Sequence, residues 1–148
     1  MSVLGDGNVV RDQKTTGTSA PERWDKVAEL LGVKAKTFSG GVENCEFSVR
    51  QLSDTLDLGL VKPEQKYNYS PNVETFFEFG KRAETHGATV EYIGFLESKY
   101  RDDARLLVDG IRVTNFSGAV DLILDFAQTF HTADEFTANS EMLRAWYD

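Results

Sequence analysis

The sequence predicts an α+β fold, with an antiparallel or mixed sheet of about five strands packed against about three helices. Three observations carry that prediction. Between 89 and 114 the chain holds runs of valine, isoleucine, tyrosine and phenylalanine around Asp109-Gly110, a pair that favours tight turns. From 118 to 130 apolar residues recur at helical spacing. Two further helices are marked by capping residues and proline, at Ser19-Ala20-Pro21-Glu22 and at Ser70-Pro71.

Met1 to Thr18 is rich in glycine, threonine and charge, with only isolated apolar residues, and reads as a flexible tail. Residues 19–148 read as a single domain. A first helix follows Ser19, with Trp24, Val27, Ala28 and Leu31 on one face and Gly32 as its stop. The segment VAELLGVKAKTF is similar to the first half of a helix-turn-helix, but no basic recognition helix follows. Val33–Phe38 and Val42–Arg50 form a predicted hairpin through Ser39-Gly40-Gly41. In its second strand Cys45, Phe47 and Val49 share a face, which makes Cys45 a buried, inert thiol.

The leucines of Gln51–Leu60 suggest a short helix through Leu56, broken at Gly59. Val61–Pro71 is a polar loop carrying Tyr67 and Tyr69, both candidate contact residues. Ser70-Pro71 opens the second principal helix. Val73, Phe76, Phe77, Gly80 and Ala83 make its apolar face, a Glu78–Arg82 pair is expected outside, and Gly87 ends it.

Thr89–Ser98 reads as a strand, with a turn at Lys99–Asp103. A two-residue turn at Asp109-Gly110 would pair Val108 with Ile111 and Leu106 with Val113, placing all four apolar side chains on one side. Ser117 is the predicted N-cap of the 118–130 helix, whose stripe comprises Val120, Ile123, Leu124 and Ala127 with Leu122, Phe126 and Phe130. This helix is expected to lie across the sheet, central to the core. Thr132-Ala133-Asp134-Glu135 has capping-box spacing and predicts a last short helix. The chain ends with Trp146 and Tyr147, which either dock on the domain or meet a partner, and both are candidate binding residues.

At 148 residues the chain can bury a core without covalent staples. Its net charge of −8 argues against direct binding to nucleic acid or anionic membrane. The single cysteine excludes an intramolecular disulfide. No signal peptide and no membrane-spanning apolar run is visible, so the expected location is the cytoplasm or the interior of an assembled particle.

Chemistry is sparsely marked. His86 fits a helix C-cap. His131, Asp134 and Glu135 have no second ligand pair, so no metal site is expected. Asp102-Asp103 and Asp109 are accounted for by turns, and pairing Glu91 with Glu97 as acid and base would need a closed cleft. No nucleotide, phosphate or nucleophile-elbow motif is present, and no cofactor is expected. The reading is therefore a non-catalytic protein-interaction or assembly protein: an adaptor, a regulatory subunit or a viral structural component, working with a protein partner or as a homo-oligomer. Two alternatives stand beside it. One is an acidic inhibitor docking on a basic, nucleic-acid-binding surface of another protein, and the other is a small enzyme using sheet carboxylates.

Overall fold

The alternation of side chains along Thr89–Leu96 sets the architecture: Val90, Tyr92, Gly94 and Leu96 are buried, while Glu91, Ile93 and Phe95 are half-buried. One face of this strand thus meets a core and the other is only partly covered. The computed structural model describes residues 20–32, 42–97 and 106–148. The tail expected over 1–18, the strand over 33–38 with its turn at 39–41, and the turn at 99–103 lie outside them.

Among the described residues five strands form one antiparallel sheet: β1 (Val42–Phe47), β2 (Thr89–Leu96), β3 (Leu106–Thr114), β4 (Glu135–Ala138) and β5 (Met142–Trp146). Their spatial order is β1-β2-β3-β5-β4. The described helices are α1 (Ala20–Leu31), α2 (Val49–Asp57), α3 (Val73–Thr85) and α4 (Val120–Phe130). The α+β class is as the sequence predicts, but three elements differ.

The first difference is at Asp109-Gly110, which is not a turn. Leu106–Thr114 is one continuous strand, paired along β2 from Thr89↔Thr114 to Leu96↔Leu106. A hairpin turn of the expected type needs positive φ at both central residues, and neither Asp109 nor Gly110 has it. The register instead shifts between Ile93 and Gly94: Ile93 faces Gly110, Gly94 faces Val108, and Asp109 is the extra residue of a β-bulge. The second is at the C-terminus, where a hairpin of β4 and β5 replaces the short helix. Asn139 turns the chain by accepting from the amides of Glu141 and Met142, both at 2.8 Å. Pairing β5 with β3 then buries Leu143 and Ala145, a gain a solvent-facing helix could not match.

The third is at Val49, which leaves the strand and starts α2. Ser48 caps this helix in a capping box with Gln51: the Gln51 amide donates to Ser48 Oγ at 3.1 Å, and the Ser48 amide donates to Gln51 Oε1 at 2.8 Å. Ser48→Ala is expected to cost about 1 kcal/mol, read as a lowered urea midpoint with an unchanged slope. Smaller shifts occur at two other caps. Asn72, not Ser70, caps α3. Ser117 and Gly118 are both left-handed, at φ 55° and 63°, so they stand before α4 and its N-cap is Ala119.

The core lies between the helices and one face of the sheet. Phe76 and Phe79 of α3 meet Phe126 and Phe130 of α4 with ring centroids 5.2–5.5 Å apart. Each such buried ring contributes on the order of 2–3 kcal/mol. Tyr92 brings the sheet to α3, its hydroxyl donating to the Phe76 carbonyl at 2.8 Å. Arg82 crosses from α3 to Asp125 of α4 (2.8 and 3.0 Å) instead of pairing with Glu78, which bonds Lys81 at 3.1 Å. α4 packs on β4 and β5, to one side of the sheet, and α3 on β2 and β3. Leu122, Phe126 and Phe130 are its buried residues, whereas Val120 and Leu124 of the expected stripe are 65% and 62% exposed.

Candidate functional site

Strand alternation sends a second set of side chains to the sheet face away from the helix-packed core. Glu46, Glu91, Ile93, Phe95, Arg112, Arg144, Trp146 and Glu135 follow from the pairings Glu46↔Ile93, Glu91↔Arg112, Arg112↔Arg144 and Glu135↔Trp146. Two arginines directly opposite one another on β3 and β5 repel. Glutamates on the neighbouring strands offset this. Arg112 bonds Glu91 Oε1 at 2.5 Å and lies 3.6 Å from Glu46, while Arg144 bonds Glu135 at 2.8 Å. The Glu91 hydrogen bond also raises the Arg112 pKa further. Glu91 is thus engaged with an arginine on the open face, and Glu97 follows the last residue of β2. A shallow groove of about 320 Å³ runs over this row, lined by Glu46, Ile93, Arg112, Glu135, Arg144 and Trp146.

The bulge explains how Trp146 is seated. A Cβ at Gly110 would lie 2.9 Å from the Ala145 carbonyl oxygen, 3.2 Å from Trp146 Cδ1 and 3.3 Å from Ile93 Cβ, so the bare glycine lets β5 and its indole lie close against the strand. Beside it the indole Nε1 donates to Asp109 Oδ2 at 3.2 Å. Asp109 is only 4% exposed, and its Oδ1 has no hydrogen-bond partner among the described residues. Burial pushes its carboxyl up to about 6, against the opposing pull of the Trp146 bond. An Asp-Gly pair suited to a turn is used here to hold a tryptophan.

The four sequence-predicted contact residues separate. Trp146 is half-buried on the groove floor. Tyr67 packs edge-on against Phe95 at 5.4 Å, next to the groove, and Asn68 donates to the Asp148 carbonyl at 3.0 Å. Tyr69 is 90% exposed. Tyr147 is buried on the opposite face, its ring centroid 6.3 Å from that of Phe76 and its hydroxyl 3.3 Å from Thr132 Oγ1. It is a core residue, because successive residues of a strand point to opposite faces. The sequence reading missed Arg112 and Arg144. Their juxtaposition needs the order β3-β5, which no local signal carries.

The other candidate residues have partners of their own. Cys45 is buried, donates to the Gly94 carbonyl at 3.4 Å, and burial pushes its thiol up to about 11. His86 is the C-cap of α3, Nδ1 lying 3.1 Å from the Arg82 carbonyl. His131 Nδ1 lies 3.3 Å from the Gln128 carbonyl, Asp134 accepts from the Asp148 amide, and Glu135 is paired with Arg144. Among the described residues no group of three or more metal-ligating side chains occurs, and no helix is long and apolar enough to cross a membrane. No family model, curated protein or solved structure matches the chain.

Proposed function

We propose that this is a non-catalytic protein-interaction or assembly protein that meets a protein partner through the open face of its sheet. Trp146 is the observation that carries the reading. A half-buried indole lies on a groove floor beside Ile93, with Arg112 and Arg144 at the centre and glutamates around them. A fixed aromatic and arginines at the centre with a charged rim is the usual anatomy of a contact hot spot. Because the Asp109 bond already orients the indole, binding would lose little side-chain entropy there. Tyr67, packed on Phe95 of the same face, extends this surface at one end, and Tyr69 is exposed in the same loop.

The test places a photo-reactive residue at Glu46, on the groove rim, and as a control at Glu74, which is exposed on α3. Irradiation in a lysate of the source cells is expected to give a discrete protein adduct at position 46 and none at 74. Arg144→Ala should abolish that adduct while the urea midpoint moves little, since the Glu135 pair it removes is solvent-accessible. No adduct at 46, or the same adducts from both positions, rejects the reading.

A further inference from the structure

We propose that the free edge of β4 pairs with β4 of a second copy of this chain, continuing the two sheets into one antiparallel sheet across a two-fold axis through Thr137. The edge meets the groove only at Glu135, whose backbone is paired inward with Trp146 of β5, so the two readings fail separately.

The backbone sets the register. The Tyr147 amide donates to the Asp109 carbonyl at 2.8 Å, which directs the odd-numbered amides near the end of β5 toward β3 and the even-numbered ones toward β4. The Asn139 amide donates to the Met142 carbonyl at 3.1 Å, which fixes the same parity from the other side. Glu135 and Thr137 therefore bond inward to β5, while Phe136 and Ala138 turn their N–H and C=O groups away from it. Among the described residues no strand lies beyond β4 to take them. An axis through Thr137 sets Phe136 opposite the second copy's Ala138 and the reverse, and four backbone hydrogen bonds then satisfy all four outward pairs. An isologous contact requires this self-complementarity.

The side chains agree with that occupant. Exposed edges are normally guarded by lysine, proline or a bulge, and Phe136-Thr137-Ala138 has none of these. The one charge on β4, Glu135, is bonded to Arg144 on the open face. Phe136 is stacked on Phe126 at 5.5 Å yet still 40% exposed, and across the axis it would meet the small Ala138 side chain. The helix above continues the apolar surface. Asp125 faces α3, so helical geometry places Ile123, Ala127 and Val120 on the other flank, toward β4, with Leu124 beyond them. Val120 and Leu124 are the most exposed apolar side chains of α4. Pairing the edges brings two such flanks together. Each copy carries a charge of −8, so salt should strengthen the association rather than weaken it.

Sedimentation velocity on the full chain, from micromolar to near-millimolar concentration, tests this. The mass is expected to rise from 16.6 kDa toward twice that value, and to do so at lower concentration in high salt. Ala138→Pro removes an outward N–H and no ladder bond to β5, which an edge strand tolerates. It should weaken the dimer by about 30-fold, since two of the four bonds are lost. Leu124→Glu, on the exposed helix flank, should weaken it independently and keeps the test intact if the proline variant fails to fold. A monomer at every concentration overturns the proposal. So does a dimer that folded Ala138→Pro and Leu124→Glu leave unchanged, because its contact would lie elsewhere.

Discussion

Gly94→Ala is expected to destabilise the protein by about 3 kcal/mol, the upper range for overpacking a fixed core position. The cause is the bulge. Past the register shift that Asp109 introduces, Gly94 stands opposite Val108, and a Cβ at Gly94 would run into the Leu107 carbonyl oxygen, with a Phe47 ring carbon at 3.2 Å. The oxygen belongs to the backbone of a residue paired with Phe95 on β2, and the adjacent Leu106 carbonyl accepts from Gln65 Nε2, so it cannot swing away as the end of a side chain could. On unfolding, urea midpoints should fall with the slope unchanged, and the melting temperature should drop by about 10 °C. Gly80→Ala is a contrasting case. A Cβ there would meet the Tyr92 hydroxyl, on a side chain that can shift at the cost of its bond to Phe76. If Gly94→Ala were the milder of the two, β3 would not be held against β2 as the bulge geometry requires.

The same bulge shows how much of the fold was legible in the sequence. The alternation that makes Val90, Tyr92 and Leu96 core residues, and the helical spacing of Trp24, Val27 and Leu31, are local patterns, and the structure follows them. Asp109-Gly110 is also a strong local pattern, yet whether such a pair turns the chain depends on what lies beside it. Here β2 offers a partner for every residue of Leu106–Thr114 except Asp109, and Trp146, distant in sequence, occupies the space above Gly110. Tertiary pairing thus overrode turn propensity. Tyr147 was misplaced for a related reason. Once Thr132-Ala133-Asp134-Glu135 is read as a helix start, the residues that follow lose their period of two. Trp146 and Tyr147 then look like neighbours on one surface, although the strand sends one to the groove and the other to the core. Ser48 had a complete capping box in the sequence, hidden only because Val49 also fitted a strand face. The arginine row could not be read at all, since Arg112 and Arg144 become neighbours only through the order β3-β5-β4.

Asp109→Asn should have the opposite sign from Gly94→Ala, stabilising the protein near pH 7.5 by about 2 kcal/mol. Folding takes the Asp109 carboxyl from its ordinary value of 3.8 to about 6, because burial penalises the charged form more than the Trp146 bond favours it. Between these two values the folded state therefore binds more protons than the unfolded chain. Stability must fall as pH rises through that window, and above about pH 6 the full penalty remains. Asparagine cannot ionise. Its carbonyl can still accept from the Trp146 indole, so the seat of the groove is kept while the penalty is removed. The gain should shrink toward zero by pH 4, where the wild-type carboxyl is already neutral, and the slope between pH 4 and 6 should be flatter in the variant. Urea titrations at half-unit pH intervals measure both quantities. An equal gain at all pH values would assign the effect to packing, and no gain at pH 7.5 would mean that Oδ1 is solvated. The expected outcome ties stability to the groove: an ionisable group is retained under Trp146 at a cost to the fold, and its hydrogen bond holds the indole on the open face.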